Sequence, residues 1–522
     1  MSRTNWPWKP SERTEALICL VLALFAVLLL ILSSEQARGQ EIFWARSYPS
    51  TVRHVWIHGR ELWVGPEMVK EESSAALEQV SGDATYGLTF NRLHGANGQD
   101  ANRGLPYCQR FSVSPKIPHG EYILRWRRND GKEASVPLTL PAVNPVPVLI
   151  PTGEVCYLDA PMVIDAGAVV DLGGCTYIPS EKFPIGKSMV VVKSGATLQN
   201  GQLICPEGSN PDRVVWVDSG KGTLLRSLNV VNMDAGEIGL FLRSLTGGVF
   251  ENVSVRAWRC CECNPGDSLQ DNTFALCRFS GISECADSQI GRGVAASNGL
   301  VFRCGWASID RGPTLSPQGA SLSRMLFWEC EQRNTGVADG ASEGLLIECK
   351  KLAPGEMFCF NQSAGVKLKS SDYAYAMRPG YVLAMQDGSQ RWAYMTEVKP
   401  VGDPNGLGYQ VTLDRKIGTN GSVLPCLVGN AAVENSFIRC RFSNGKSGIW
   451  LWGASINNAI VGCDFRDLEW GILTLLRNDP PANSGFSWGL TTKYNRYSRV
   501  KEPMRVSDKQ NDWLNRPGSV VQ

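Results

Sequence analysis

Apolar and polar positions repeat along this chain over a distance much longer than a helical turn. Between residues 435 and 475 two copies of one pattern align at an offset of 23 residues. The matched pairs are Asn435 with Asn458, Cys440 with Cys463, Phe442 with Phe465 and Gly448 with Gly471. Each copy is a short apolar strand, a polar corner and a second strand that opens with Gly-Ile. One such strand pair cannot bury its apolar face alone, so the pattern predicts a stack of repeats.

Looser copies of the pattern occur upstream, and each closes its strand with a cysteine. These copies end at Cys277, Cys304, Cys330 and Cys349, at spacings of 19 to 27 residues. Cysteine is small, apolar and often buried, so we expect an interior ladder of thiols rather than a set of disulfides. The triplet Cys260, Cys261 and Cys263 has the spacing of a metal knuckle but no second pair beside it, which favours buried thiols or a local disulfide.

The repeat resembles the right-handed parallel β-helix of the pectate-lyase-like superfamily, over roughly residues 148–476. The resemblance implies coils of this length with like side chains stacked inside, and an exposed face along which polymer-processing members work. The predicted fold class is all-β: this β-helix, an N-terminal β-sandwich-like domain and a small β insertion. The 53 glycines and 20% charged residues agree with it.

The pattern divides the chain into six parts. Residues 1–39 are predicted to be an export signal or membrane anchor, since residues 16–32 are uninterrupted apolar residues behind a basic flank. The remaining predicted parts are a β-sandwich-like domain at 40–145, β-helix at 146–353, a β-barrel-like insertion at 354–429, the last β-helix coils at 430–478 and a C-terminal cap or tail at 479–522. We therefore expect an exported protein, which is secreted, periplasmic or held in the membrane by residues 16–32.

The charge balance narrows the classes of partner. The net charge is +2, with basic and acidic residues interspersed, so no electrostatic footprint for nucleic acid exists. All four histidines, His54, His58, His94 and His119, precede the predicted β-helix. The helix therefore has no imidazole of its own, which counts against a polygalacturonase-like site.

Lyase chemistry needs no histidine. The resemblance implies β-elimination from a uronate, in which a cation neutralises the carboxylate and a base, often Arg or Lys, removes a proton, with Ca²⁺ as a frequent partner. Counting forward from the strand-closing cysteines places Arg311, Lys446 and Asp310 at comparable corners, as candidate catalytic residues. Charged corners that only provide solubility are the ordinary alternative.

Four further residues are candidates for binding substrate. Asp339 and Glu343 fall in the corner that follows Cys330. Trp450 and Trp452 have the same parity on one strand, so they point the same way, and Ile449 and Leu451 take the other face. Exposed indoles would stack on sugar rings, whereas packing between coils is the alternative role.

These observations predict an exported β-helix protein that binds an acidic polysaccharide or cell-surface glycan, with β-elimination as a further hypothesis. One alternative is a non-catalytic envelope or surface protein in which the helix is a rigid spacer or adhesin. Another is a glycoside hydrolase that uses paired carboxylates such as Asp310 and Asp339.

Overall fold

The structure is a computed structural model. It describes residues 41–47, 54–60, 62, 73–90, 108–128, 130–141, 149–218, 220–234, 237–263, 267–281, 296–308, 314–315, 321–334, 345–348, 353–361, 365–369, 379–385, 391–401, 408–417, 423–429, 431–474, 487–505 and 520–521. In these ranges no helix is long and apolar enough to cross a membrane. The predicted export segment, residues 16–32, lies outside them.

The N-terminal domain is a seven-stranded antiparallel sheet. Its strands are β1 Glu41–Ser47, β2 His54–Arg60, β3 Ser73–Gln79, β4 Thr85–Phe90, β5 Cys108–Ser112, β6 Gly120–Arg128 and β7 Glu133–Leu140. They pair in the order β1-β2-β5-β4-β3-β6-β7, and β1 also contacts β7, so the sheet folds over onto its own core. Alternation in β6 directs Tyr122, Leu124 and Trp126 into that core.

The β-helix begins with short strands that follow one another around each coil. Its strands before the insertion are β8 Val155–Leu158, β9 Met162–Ile164, β10 Val169–Asp171, β11 Thr176–Pro179, β12 Ser188–Val192, β13 Thr197–Cys205, β14 Arg213–Val217, β15 Gly220–Lys221, β16 Leu224–Asn232, β17 Ile238–Leu242, β18 Leu245–Thr246, β19 Val249–Ala257, β20 Arg259–Cys263, β21 Ser268–Gln270, β22 Thr273–Gly281, β23 Ala296–Asn298, β24 Val301–Ser308, β25 Thr314–Leu315, β26 Leu322–Ser323, β27 Leu326–Trp328, β28 Glu331–Asn334 and β29 Leu345–Glu348.

A closed barrel interrupts the helix after β29. Its strands are β30 Ala353–Asn361, β31 Gly365–Lys369, β32 Val382–Met385, β33 Trp392–Val401, β34 Gly408–Leu413 and β35 Val423–Gly429, closed in the order β30-β31-β34-β33-β32-β35. Ala353 pairs with Val428, so the chain enters and leaves the barrel side by side. This barrel occupies the insertion predicted at 354–429.

The β-helix continues after the barrel. Its later strands are β36 Ala432–Val433, β37 Ser436–Ile438, β38 Arg441–Trp452, β39 Ser455–Ile456, β40 Ala459–Val461, β41 Asp464–Leu473, β42 Ser487–Trp488, β43 Thr491–Lys493, β44 Arg496–Arg505 and β45 Val520–Val521. β27 pairs directly with β37, and a hydrogen bond from Met325 N to Asn435 Oδ1 joins positions 110 residues apart.

Each strand pairs in parallel with the equivalent strand of the next coil. The run β13-β16-β19-β22-β24 keeps this register through successive coils, within sheets of 19, eight and five strands. The prediction of an all-β chain built on a parallel β-helix is confirmed.

Like side chains stack inside the helix, as the repeat predicts. Consecutive rings lie 4.5 to 5.1 Å apart, centroid to centroid, through the series Phe250, Phe274, Phe302, Phe327 and Phe437. A cysteine ladder lies beside it, formed by Cys277, Cys304, Cys330, Cys440 and Cys463, all buried thiols. Each thiol donates a hydrogen bond to the carbonyl of a phenylalanine one coil earlier, for example Cys330 Sγ to Phe302 O at 3.2 Å. Cys349 lies outside the described residues.

The structure adds a coil beyond residue 478, inside the segment predicted to be a cap or tail. β43 and β44 continue the registers of β40 and β41. Asn495 stands where the preceding coils have cysteine, and its Oδ1 accepts a hydrogen bond from Cys463 N at 2.8 Å. Tyr497 stacks on Phe465 at 5.1 Å. The repeat is missed in the sequence because both of its marker residues, cysteine and phenylalanine, are substituted there.

The N-terminal domain packs on the outside of the helix. Trp44, Trp56 and Cys108 form one apolar cluster with outward side chains of several coils, among them Leu326 and Ile438. Arg46 also donates to Gly299 O. This docking places the N-terminal domain beside one corner of the coils.

Candidate functional site

A groove of about 1080 Å³ crosses successive coils at that corner. Its charged lining consists of six arginines and three carboxylates: Arg278, Arg303, Arg439, Arg441, Arg466, Arg496, Glu329, Glu331 and Asp464. The lining therefore has a net charge of +3, which exceeds the +2 of the whole chain. The groove lining is therefore more positive than the rest of the chain, whose net charge is −1.

The groove residues flank the interior cysteines. A cysteine that points into the helix leaves the residues immediately before and after it facing outward. Glu329 and Glu331 flank Cys330, and Arg439 and Arg441 flank Cys440. At these corners the residue before the cysteine has a positive φ, 49° at Glu329 and 53° at Arg439, which turns the chain sharply.

Parallel register aligns one wall of the groove along the helix axis. The backbone partners in consecutive coils are Arg278, Gly305, Glu331, Arg441, Asp464 and Arg496. Neighbouring strands lie about 4.8 Å apart, so this wall presents one residue per coil at that spacing, with a side chain in each coil except that of Gly305.

Two carboxylates in the groove are each held between two arginines. Glu329 Oε2 lies 3.0 Å from Arg303 Nη2, and Glu329 Oε1 lies 2.9 Å from Arg439 Nη1. Arg303 also lies over the Trp328 ring at 4.5 Å. The three charged side chains come from three successive coils, so the cluster fixes the guanidinium groups across the groove.

Asp464 forms the second such cluster. Its Oδ2 lies 2.6 Å from Arg466 Nη2 and 2.9 Å from Arg496 Nη2. Burial alone would raise the pKa of Asp464, but the hydrogen bonds from Arg496 and Arg466 outweigh it and hold that pKa below its usual range. The same pairing raises the pKa of Arg496.

Three charged side chains in the groove stand outside both clusters. Arg278, Arg441 and Glu331 are exposed, and no ion pair holds them within the described part of the chain. These are the groups most available to a ligand, because a bound ligand need not displace an existing partner.

The docked N-terminal domain brings a histidine to the edge of this groove. His54 lies edge-on to Trp328, and burial, with Arg110 nearby, lowers its pKa to about 4. Burial likewise lowers the pKa of Arg110 to about 10, beside Glu329. The helix has no histidine of its own, yet the fold supplies a neutral imidazole next to its groove.

The predicted catalytic residues are not part of the described groove. Arg311 and Asp310 lie outside the described residues, as do Asp339 and Glu343. Lys446 lies at another corner, with Nζ 5.5 Å from the centroid of the Trp470 ring.

Of the two tryptophans predicted to stack on sugar rings, Trp450 is covered by neighbouring side chains. Ile449 and Leu451 face the interior, and Trp450 takes the opposite side of the strand. Trp450 is nevertheless only 4% exposed, because Leu473 and Trp470 of the next coil pack against it. The Trp452 side chain lies outside the described residues.

The sequence contains a signal for the groove that counting forward from the strand-closing cysteines does not reveal. The predicted catalytic residues lie six and seven residues beyond a cysteine, whereas the groove side chains are adjacent to one. Charged neighbours on both sides of an interior cysteine, as in Glu-Cys-Glu at 329–331 and Arg-Cys-Arg at 439–441, mark the outward positions directly.

Metal binding has little support in the residues of the groove. No group of three His, Cys, Asp or Glu among the described residues could hold an ion. Glu329 and Asp464 are already held by arginines, which leaves Glu331 alone, and Ca²⁺ requires six to eight oxygen ligands. The residues present do not fit a Ca²⁺ site, and Cys260, Cys261 and Cys263 are buried in β20.

A scan of the chain against protein-family models gives no match, and no curated protein matches it. Among solved structures, the chain is similar to two catalytic-domain variants of a GH87 α-1,3-glucanase, one in complex with nigerose and one with tetrasaccharides. The first is 9% identical at a TM-score of 0.31 and covers 91% of both chains; the second is 8% identical at 0.30 and covers 93% of this chain and 96% of that one. A family 28 exopolygalacturonase from Yersinia enterocolitica is 8% identical at 0.25, covering 90% of this chain and 100% of that one. Similarity at this level carries no argument about the reaction or substrate of this chain.

Proposed function

We propose that this is an exported protein that binds an acidic polysaccharide in the arginine-lined groove. The observation that supports the proposal is a net charge of +3 on the groove lining, arranged coil by coil along the helix axis. Guanidinium groups bind carboxylates and sulfates through paired hydrogen bonds, and those held by Glu329 or Asp464 are already oriented. An extended polyanion lying along the groove would meet a cation at several coils.

The reaction proposed is β-elimination. Arg439 and Arg441 would neutralise a bound uronate carboxylate, which acidifies the proton at C5. Glu331 lies one coil away without an ion pair among the described residues, and it would accept that proton. The electron pair of the C–H bond becomes the C4–C5 double bond, the C4–O bond breaks, and the leaving oxygen takes up a proton. Arg311, Asp310 and Lys446 stay predictions for this role.

Hydrolysis is the second candidate, and one observation favours it. Glu331 and Asp464 are on the same wall with one coil between them, so their strands lie about 9.6 Å apart. Inverting glycosidases separate their two carboxyl groups by about 6.5–9.5 Å, so the two side chains would have to converge slightly from the spacing of their strands. The two arginines keep Asp464 ionised, so it would be the base that activates water, with Glu331 as the acid.

The decisive experiment uses the purified protein with polyuronides, sulfated glycans and a neutral glucan, with and without added Ca²⁺. A rise in ultraviolet absorbance from unsaturated uronates would establish elimination, whereas new reducing ends without that absorbance would establish hydrolysis. Binding without either product supports the spacer or adhesin alternative. If no acidic glycan binds better than the neutral glucan, the proposed function is wrong.

Arg441 provides the matched test of the site. Arg441→Gln is expected to weaken binding of an acidic glycan about tenfold, since it removes a charge-assisted contact. Arg333→Gln is the control, because Arg333 is an exposed arginine on the coil of Glu331 and does not line the groove. Equal losses in the two variants would place binding elsewhere on the surface.

The proposal that the protein is exported rests on the apolar segment at residues 16–32 alone. Fractionation of cells that express the full chain tests it directly. Recovery outside the cytoplasmic fraction, lost when two of these apolar residues are replaced by arginine, is the expected result; cytoplasmic recovery of the native chain would contradict it.

A further inference from the structure

The charges in the groove alternate from one coil to the next. The coil of Cys304 contributes Arg303, and the coil of Cys440 contributes Arg439 and Arg441. Between them, the coil of Cys330 contributes two carboxylates, Glu329 and Glu331.

The alternation continues to the far end of the groove. The coil of Cys463 contributes Asp464 and Arg466, which cancel, and the next coil contributes Arg496. The five coils therefore have groove charges of +1, −2, +2, 0 and +1 in order along the axis. Positive coils recur at every second position. At the other end the coil of Cys277 adds Arg278, and the alternation stops there.

This period has a counterpart in glycan chemistry. Coils are about 4.8 Å apart, and a pyranose unit in an extended glycan chain advances by a similar distance. A glycan lying along the groove would therefore place about one sugar on each coil. A positive coil would match a sugar that has a carboxylate, whereas a carboxylate on the coil of Glu331 would face the charge of Glu331, which no ion pair offsets among the described residues.

We infer that the groove selects an acidic glycan in which each anionic sugar is followed by an uncharged one, rather than a polymer that is anionic at every sugar. The inference rests on the proposed function and adds the charge spacing of the substrate. Like charges brought together in an interface oppose binding, so Glu331 sets this preference as much as the arginines do.

The test compares three fluorescently labelled probes of equal length on the full chain at fixed ionic strength. They are an unsulfated chondroitin hexasaccharide, with a carboxylate on every second sugar, a hexagalacturonate, with one on every sugar, and neutral chitohexaose. We expect the chondroitin probe to bind about tenfold more tightly than hexagalacturonate, although it has half the charge.

Glu331→Gln shows whether the preference comes from the groove. The exposed side chain can be replaced without loss of packing, and circular dichroism confirms the fold. The variant should improve hexagalacturonate binding several-fold more than chondroitin binding, because it removes repulsion that only the fully charged probe meets. Arg333→Gln, which is outside the groove, should leave the ratio of the two affinities unchanged.

The outcomes separate the inference from the proposed function. If hexagalacturonate binds at least as tightly as the chondroitin probe, and Glu331→Gln leaves that ratio unchanged, the alternating preference is wrong while acidic glycan binding stands. If neither acidic probe binds better than chitohexaose, the proposed function fails together with the inference.

Discussion

At the scale of single residues, the corners of the helix contain conformational strain. Several corner residues adopt positive φ, a conformation that costs non-glycine residues about 1–2 kcal/mol, with asparagine the most tolerant. Leu276 has φ of 58° and is 41% exposed, while Asn252 and Gly462 occupy the same corner in other coils. Leucine is thus the poorly suited residue of this series.

Leu276→Asn is expected to stabilise the protein by about 1 kcal/mol, because asparagine relieves the strain and little buried apolar surface is lost. Denaturant unfolding followed by circular dichroism measures it. Val155→Asn is the matched control, since Val155 is 48% exposed in a regular strand and gains no relief. Destabilisation at Leu276 would show that its contacts outweigh the strain.

His58 gives the docked N-terminal domain a dependence on pH. Its ring stacks on Trp44 at 5.2 Å and its Nε2 lies 3.3 Å from Ser436 Oγ. Burial, with Arg324 and Arg46 nearby, lowers its pKa from 6.5 to about 3. The unfolded or undocked form therefore binds a proton at a pH where the docked form does not, so stability falls as the pH drops.

The free energy of unfolding should fall by about 1.4 kcal/mol per pH unit from this group, beginning near pH 6.5 and ending near pH 3. Titration of His54, with its pKa of about 4, adds to the upper part of this range. His58→Phe should keep the stacking and flatten the profile, whereas His119→Gln at an exposed site should not. An unchanged slope in His58→Phe would assign the acid sensitivity to other groups.

At the scale of elements, the phenylalanine ladder joins the coils on the two sides of the barrel. Phe327 lies 4.9 Å from Phe302 and 4.7 Å from Phe437, ring centroid to centroid, and Phe437 is the first interior aromatic after the insertion. Phe327→Ala is expected to cost about 3–5 kcal/mol, since the cavity cannot collapse between two stacked rings. Thermal unfolding measures the loss, and Phe327→Leu should recover more than half of it. If Phe327→Ala lost less stability than Phe327→Leu, the coils would have repacked around the smaller side chain.

The ladders were predictable from the sequence, whereas for the groove the sequence marks outward charged positions but does not show which of them are neighbours. Cys440 and Phe442 repeat at Cys463 and Phe465, so the period of the coil and its interior face can be deduced from residue identity alone. The groove depends on which coils are neighbours. The sequence predicts the insertion at 354–429, but only the structure shows that Glu331 on one side of it pairs with Arg441 on the other. The position of His54 beside Glu329 likewise depends on docking between domains, which no local pattern specifies.

At the scale of the whole molecule, the barrel is a module attached to an otherwise continuous helix. It packs on the outer side of the coils through Val382 and Trp392, against Val433 and Ile456. Its first and last strands pair with each other, so their ends are close enough to be joined by a short linker.

Replacing residues 353–429 with a short Gly/Ser linker should therefore preserve the β-helix. We expect the far-ultraviolet circular dichroism signal per strand residue to be unchanged. The glycan affinity should stay within about twofold of that of the full chain, because distant sites act independently. The exposed Val433 and Ile456 should increase binding of a hydrophobic dye, and charged replacements there should reverse it. Loss of cooperative unfolding in the excised chain would show that the barrel holds the coils together.

The pairing of β27 with β37 also sets the order in which the chain can fold. The coil edge at Met325 has no covering strand until residues about 110 positions later have been made and brought back, and closing so long a loop is slow. The barrel contains the local hairpins β30–β31, β32–β33 and β33–β34, which can form quickly, and the later pairing of β30 with β35 closes the barrel and brings β37 back towards β27. Before that moment the first half of the helix presents an open parallel edge to any other chain that is still folding. We therefore expect this open edge to favour aggregation during synthesis, and closure of the barrel to shorten the time for which the edge is exposed.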